Sequence, residues 1–212
     1  MKNFKLLSVL AVCLMVFAFT SCNDSTSGVN YPTPEEAYNM MAKFEGYHQC
    51  GILFPSDKDN NITVKDSVET TVRIAARDSS YTISNFPTKC LAKYIKDEKI
   101  SKAVAELPNQ TLQGKLLAYP GSTVTAPMFG TATNNITFQV EGKNYTMAFY
   151  AGYNGYALAG LATDQVVKKS CFVLYITPGA IYEGKSLVSD AFKLNTGTYG
   201  SVPYTVTLKY FI

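Results

Sequence analysis

Apolar and polar residues alternate along most of this chain, most clearly between residues 62 and 77. One parity of that stretch is apolar and the other is polar: Ile62, Val64, Val68, Val72, Ile74 and Ala76 against Thr63, Lys65, Ser67, Glu69, Thr71, Arg73 and Arg77. A period of two predicts a strand with one buried and one solvated face, as in an antiparallel sheet. Asp66 interrupts the apolar parity, which indicates a bulge or a turn there.

Shorter segments with the same period predict further strands. They cover residues 47–54, 81–84, 112–119, 136–140, 145–149 and 204–210. Glu141-Gly142 predicts a tight hairpin between two of them, and Asn154-Gly155 predicts a second hairpin. Residues 171–176 are apolar without interruption, which favours a central strand covered on both faces.

Two regions show the helical period instead. Thr33 can cap a helix that begins at Pro34, with acidic residues at the positive end of the helix dipole. Its apolar residues form one stripe: Ala37, Met40, Met41 and Phe44. Residues 86–107 carry two opposite apolar faces, so we expect a break near Asp97-Glu98 that gives two short helices.

These elements predict a mainly β protein with about three short helices. Its fold class is an antiparallel β-sandwich or barrel, of which the lipocalin-like barrel is one form. Turns recur at short intervals, and no strand–helix–strand rhythm appears. Since residues 33–212 have the length of one ordinary domain, we expect a single β-rich domain there.

The first 21 residues have a different character. Lys2 and Lys5 precede an uncharged apolar run over residues 6–19, and small polar residues follow. This layout is typical of a secretory signal peptide, and the run is shorter than the roughly 20 residues of a membrane span. We therefore expect residues 1–21 to be a signal peptide. The polar residues 22–32, which include Gly and Pro, are expected to form a flexible tether.

The signal ends in Phe19-Thr20-Ser21-Cys22, which resembles the lipobox of bacterial lipoproteins. The resemblance implies that Cys22 is acylated and becomes the N-terminus, so that a lipid anchor holds the protein at a membrane. The alternative is ordinary signal cleavage, with Cys22 as a chance neighbour.

Charge and cysteine content restrict the partners. The net charge of +3 includes the two lysines of the leader, which leaves +1 for the rest of the 212-residue chain and argues against a nucleic-acid partner. Cys50, Cys90 and Cys171 lie in the expected domain. An oxidising envelope permits one disulfide and one free thiol, but their apolar surroundings favour three reduced, buried thiols.

The chain offers little catalytic chemistry. Its one histidine, His48, shares a strand face with Cys50, but residues two apart on a strand lie about 7 Å apart and are poorly placed as a nucleophilic pair. Residues 57–61 alternate acids and amides, yet they lack the Gly and the closing Glu of a calcium-binding EF-hand loop. We therefore predict no catalytic residue, no metal and no cofactor. A hydrolase with an unrecognised carboxylate pair is the enzymatic alternative.

Tyrosine is densest between residues 145 and 156. The candidate ligand-binding residues are Tyr150, Tyr153, Asn154 and Tyr156. Tyrosine rings can stack on sugar rings while asparagine binds sugar hydroxyls. The competing interpretation is that the aromatic residues of this region are cross-strand pairs that hold the sheet together.

Three features together resemble the small Bacteroidetes lipoproteins grouped as domains of unknown function. They are the lipobox-like ending, the helix over residues 34–44, and the segment Tyr81-Thr82-Ile83-Ser84-Asn85-Phe86-Pro87. The resemblance implies an outer-membrane lipoprotein of the cell envelope, facing either the periplasm or the surface. We expect a non-catalytic binding module for a glycan, a peptide or a small apolar ligand. The alternative is a structural or assembly subunit that binds another envelope protein.

Overall fold

A computed structural model describes residues 30–55, 65–152, 157–197 and 200–212. Three helices lie in these ranges: α1 (Pro34–Ala42), α2 (Lys89–Ala92) and α3 (Glu98–Glu106). The strands there are β1 (Gly46–Pro55), β2 (Lys65–Ala75), β3 (Ser80–Phe86), β4 (Gln110–Ala118), β5 (Met128–Thr133), β6 (Ile136–Val140), β7 (Lys143–Phe149), β8 (Ala151–Gly152), β9 (Leu158–Thr163), β10 (Ser170–Ile176), β11 (Pro178–Glu183), β12 (Ser186–Val188), β13 (Leu194–Gly197), β14 (Gly200–Pro203) and β15 (Val206–Phe211).

Eight of the strands close into an antiparallel barrel. Their order is β4-β3-β2-β1-β15-β10-β9-β5, and β5 pairs back onto β4. The closing ladder runs from Gly114 opposite Thr133 to Ala118 opposite Phe129. The prediction of a mainly β, antiparallel fold is confirmed, and of its two forms the barrel is the one that occurs.

The barrel interior is filled by the protein's own side chains. One layer consists of successive cross-strand partners: Ile52, Leu208, Leu174, Ala159 and Phe129. These residues are at most 3% exposed. An eight-stranded barrel is just wide enough for its side chains to fill it, and each large apolar side chain buried there contributes about 1.5–3 kcal/mol.

Helix α1 covers one end of the barrel, which we name the α1 end. The predicted Thr33 cap is confirmed, and Thr33 and Glu36 form a capping box in which the Thr33 N–H donates to Glu36 Oε2 at 2.8 Å. The Phe44 ring, just past the helix, packs on Phe129 and Phe172 with ring centroids 6.1 and 4.8 Å apart. Antiparallel connectivity places the β2–β3, β4–β5 and β9–β10 connections and the C-terminus at this same end.

Helices α2 and α3 connect β3 to β4 at the opposite end, beside a four-stranded sheet of order β12-β11-β7-β6. The predicted break between the two helices is confirmed, because the Asp97 carboxylate accepts the Ile100 N–H at 2.9 Å and so caps α3. The hairpin predicted at Glu141-Gly142 joins β6 to β7. Two lysines of this region are paired with carboxylates, Lys96 with Asp190 and Lys99 with Glu141.

Strand β10 is central, as its apolar run predicts, but its two faces differ. Leu174 and Ile176 on the inner face are fully buried, whereas Val173 and Tyr175 on the outer face are half-buried. The expectation that both faces of this strand are covered is therefore only partly met.

Candidate functional site

The barrel wall is interrupted next to the tyrosine-rich segment. Gly152 at the end of β8 lies opposite Thr131 of β5, and Leu158 at the start of β9 lies opposite the preceding residue, Gly130. Two adjacent positions of β5 therefore face residues six positions apart in the chain. Strands β8 and β9 therefore pair with consecutive segments of the same edge of β5, and the sequence has additional residues between them. Interruptions of a ladder of this kind occur preferentially at barrel rims and beside binding sites.

This arrangement corrects the hairpin predicted at Asn154-Gly155. Both β8 and β9 run antiparallel to β5 along the same edge, so the chain continues in one direction instead of reversing. An Asn-Gly pair is a local turn signal and cannot specify which strands it connects. The residues Tyr153, Asn154 and Tyr156 themselves lie outside the described residues, so their role stays a prediction.

Tyr150 stands where the chain leaves the four-stranded sheet and enters the barrel. It follows β7 directly and precedes β8, and its backbone N–H donates to the Thr177 carbonyl oxygen at 2.9 Å. The half-buried Tyr150 ring lies beside Gly179, where an added Cβ would sit 3.4 Å from the ring. Tyr150 is therefore fixed at the start of the interrupted segment.

Two hydroxyl-bearing residues of β5 lie on the inner side of the wall at this point. Thr133 Oγ1 is 2.6 Å from the hydroxyl oxygen of Tyr81. Thr131 is fully buried, and its hydroxyl has no hydrogen-bond partner among the described residues. An unsatisfied buried hydroxyl costs roughly 1–3 kcal/mol, so its position inside the wall is unusual. Sequence reasoning missed this residue, because a threonine on a strand is ordinary.

The other aromatic residues near Tyr150 have structural roles. Tyr145 lies opposite Phe138 on neighbouring strands, with ring centroids 5.8 Å apart, and both it and Phe149 are buried. The Tyr145 hydroxyl donates to Glu183 Oε2 at 2.8 Å. This hydrogen bond is the main cause that raises the pKa of the phenol, and desolvation by burial raises it further. For Tyr145 the interpretation as a cross-strand aromatic pair is confirmed, whereas Phe149 is buried opposite Pro178.

His48 and Cys50 face the barrel interior near the α1 end, but they do not bond to each other. His48 Nε2 donates to the Phe44 carbonyl oxygen at 2.8 Å, and its ring stacks on Tyr210 with centroids 4.2 Å apart. The Cys50 thiol points to the Thr70 carbonyl oxygen at 3.5 Å, and burial raises its pKa to about 12. A nucleophile needs a lowered pKa and an adjacent base, so this pair is structural.

All three cysteines of the described domain are free and buried: Cys50, Cys90 and Cys171. Burial raises the pKa of Cys90 to about 12, and it raises the pKa of Cys171 as well. The prediction of reduced thiols that pack as small apolar groups is confirmed.

The carboxyl groups do not form a general acid–base pair within the described ranges. No aspartate or glutamate is among the buried residues there, and three have a lowered pKa because of hydrogen bonds from their neighbours: Glu36, Asp164 and Glu183. A glycosidase general acid requires a raised pKa. The same part of the chain holds no group of three or more His, Cys, Asp or Glu that could bind a metal ion.

Two features singled out in the sequence fall outside the described residues: Cys22, the expected lipidation site, and the acid- and amide-rich residues 57–61. In the part that the structure covers, no helix is both long and apolar enough to span a membrane.

Comparison with known proteins gives one family. A family model described as a domain of unknown function, DUF4840, matches residues 40–182, which is more than half of the chain. The match runs from α1 to β11 and so contains most of the barrel and the interrupted wall. Neither a curated protein nor a solved structure matches the chain.

Proposed function

The chain belongs to the DUF4840 family, a domain of unknown function, and from that premise we propose that it is a non-catalytic, glycan-binding lipoprotein of the cell envelope. Its lipid anchor is Cys22. Its ligand-binding residues are Tyr150, Tyr153, Asn154 and Tyr156.

Anchoring is argued from the leader. The positive start, the apolar run and the Ser21-Cys22 ending are what signal cleavage and acylation require. Two or more acyl chains hold a protein firmly at a bilayer, whereas one chain binds only marginally. The ten residues Asn23 to Pro32 can extend about 33 Å, so the barrel has room to reach ligands beside the membrane.

One observation supports the ligand site above the others, and it is the interruption of the barrel wall. Gly152 and Leu158 already lie opposite neighbouring positions of β5. The residues inserted between them are therefore not needed for the backbone pairing of β8 and β9 with β5. Selection for binding accounts for an insertion that contains Tyr153, Asn154 and Tyr156 among its five residues, 153–157. Binding residues lie disproportionately on loops that a rigid scaffold holds in place.

A glycan fits these side chains better than an apolar ligand. Tyrosine offers a flat apolar face with a polar tip, and asparagine offers both a donor and an acceptor for hydroxyl groups. An apolar ligand would need the barrel interior, where Ile52, Leu174 and Leu208 are already fully buried against each other. The described carboxyl groups lack the environment of a general acid, which favours binding without hydrolysis.

The test is a glycan-array screen with the purified full-length protein, followed by calorimetry on the ligands found. We expect Tyr153→Ala and Tyr156→Ala each to weaken binding at least tenfold without changing the far-UV circular dichroism. The matched control is Tyr47→Ala, since Tyr47 is 74% exposed and lies at the α1 end, away from the interruption. Binding that survives both substitutions, or no glycan bound at all, would contradict the proposed site. Intact mass of the native protein tests the acylation of Cys22 separately.

A further inference from the structure

We propose that the α1 end of the barrel rests on a lipid surface, with the β9–β10 turn inserting Val166 and Val167 among the lipid headgroups. This inference deepens the proposed function and rests on its membrane anchoring. It identifies which face of the domain contacts the bilayer and what chemistry makes the contact.

The β9–β10 turn is a built structure around Asp164. Its Oδ1 accepts the backbone N–H groups of Val166 and Val167 at 2.9 and 2.8 Å. Its Oδ2 accepts from Lys209 Nζ at 2.5 Å, and its backbone N–H donates to the Lys169 carbonyl oxygen at 2.9 Å. The Asp164 carboxylate, whose side chain is 10% exposed, thus holds the turn in one conformation.

That conformation directs apolar side chains into solvent. Val166 is 87% exposed and Val167 is 50% exposed. Exposing a valine that could be buried forgoes stabilisation, and a fixed turn cannot bury these two by rearranging. An ordered apolar tip of this kind is typical of a contact surface.

Exposed apolar residues are concentrated at the same end of the barrel. From Pro32 onward the described residues include eleven large apolar side chains that are exposed, and nine of them lie on α1, on the α1-end connections or on the strand ends beside them. Besides the two valines of the turn, this set of nine includes Tyr47, Val124, Met128 and Ile212. At the opposite end only Leu187 and Leu194 belong to the eleven. The exposed apolar side chains are therefore concentrated at the α1 end and are not spread evenly over the surface.

The chemistry of this face favours lipid over a protein partner. The apolar residues occupy several separate loop tips, as in proteins that insert side chains a few ångströms into a headgroup layer. Lys168 and Lys169, both exposed, directly follow the two valines and complement anionic phosphate groups.

The place where the chain enters the domain supports the same face. The chain enters the domain through α1 at this end, twelve residues after the expected anchor at Cys22. The face and the anchor can therefore engage one bilayer together, and two signals bind a membrane more firmly than one.

The absence of tryptophan from the sequence allows a direct test. Full-length Val166→Trp and Leu187→Trp proteins carry a single fluorophore at the two ends of the domain, both at exposed positions. Each acylated protein is reconstituted into phosphatidylethanolamine–phosphatidylglycerol vesicles with and without brominated acyl chains. We expect a shift of the emission to shorter wavelength and several-fold stronger bromine quenching for Val166→Trp, and neither for Leu187→Trp.

The outcomes separate the face from the anchor. Vesicle flotation without selective quenching of Val166→Trp would overturn the lipid face and leave the anchor intact. Failure to float would contradict the anchor, and the face would then be tested by adding the same vesicles to the unacylated Cys22→Ser chain. In that experiment, a shift of the Val166→Trp emission to shorter wavelength supports the lipid face. No shift, or a shift that occurs only when envelope protein is added, overturns it.

Discussion

The ring of Tyr81 lies directly over the α-carbon of Gly114, its partner on the neighbouring strand. A Cβ built on Gly114 would come within 2.4 Å of both Cζ and the hydroxyl oxygen of Tyr81. Because the glycine leaves this space open, the tyrosine crosses β4 and its hydroxyl reaches Thr133 on β5 at 2.6 Å. One side chain thereby links three strands across the seam where β4 and β5 close the barrel.

Gly114→Ala is expected to destabilise the fold by about 1–3 kcal/mol, the usual cost of overpacking a filled core. The new methyl group meets Tyr81, and it also meets the Ala132 carbonyl oxygen at 2.6 Å, which cannot move without disturbing the closing ladder. Urea denaturation followed by circular dichroism measures the change. The control is Gly51→Ala on β1, where no atom lies within 4 Å of the added Cβ and the change should stay within about 0.5 kcal/mol. Equal effects at the two glycines would refute this account of the seam.

Removing a tyrosine hydroxyl should have opposite consequences at two buried positions. Tyr81→Phe loses the bond to Thr133 and leaves that hydroxyl unsatisfied, so the free energy of unfolding should fall by about 1 kcal/mol or more. The Tyr210 hydroxyl is buried without a hydrogen-bond partner among the described residues, so Tyr210→Phe should be neutral or should stabilise the fold by up to about 1 kcal/mol. Chemical denaturation of both variants measures these changes in the free energy of unfolding. Comparable destabilisation by the two would show that Tyr210 has a partner.

Asp164 should make stability depend on pH in the acid range. The hydrogen bond from Lys209, followed by the backbone N–H of Val167, lowers the pKa of Asp164 from 3.8 to about 2. A lowered folded-state pKa contributes stability that is fully present above about pH 4 and is lost as the pH falls through about 2. We expect the denaturation midpoint of the wild-type protein to fall more between pH 4 and 2 than that of Asp164→Asn. Parallel pH profiles for the two proteins would be inconsistent with this ion pair.

The three described cysteines should be unreactive in the native protein. With the pKa of Cys50 and Cys90 raised to about 12 by burial, only about one thiol in ten thousand is ionised at pH 8. Iodoacetamide labelling followed by peptide mass spectrometry should find Cys50, Cys90 and Cys171 unlabelled under native conditions and labelled in urea. Rapid native labelling of any of them would contradict its buried position.

Local patterns were enough to predict many elements. Four of them depend on residues close together in sequence: the helix cap at Thr33, the helix break near Asp97, the alternation along β2 and the Gly-containing turn between β6 and β7. Each signal acts within a few residues, so it survives without knowledge of the rest of the chain.

For the candidate site, the sequence predicted which residue types are present but not how the flanking strands pair. The tyrosine-rich segment was evident from the sequence, but the Asn-Gly pair suggested a hairpin, whereas the flanking strands continue in one direction along β5. The outward turn at Val166 and Val167 was missed, because an apolar pair between polar residues reads as an ordinary loop. The exposure of the two valines is set by the folded turn, in which Asp164 accepts their backbone N–H groups.

By itself the sequence determined the strand and helix periods, the composition of the tyrosine segment and the pattern of charged and apolar positions over residues 1–21. Only the tertiary structure decided that the strands close into a barrel, that β1 pairs with β15, and that the exposed apolar residues gather at the α1 end. The physical reason is that side-chain alternation specifies which face of a strand is buried but not which distant strand supplies its hydrogen bonds. That choice is made by the packing of the whole interior, in which residues far apart in the chain, such as Ile52 and Leu208, become neighbours.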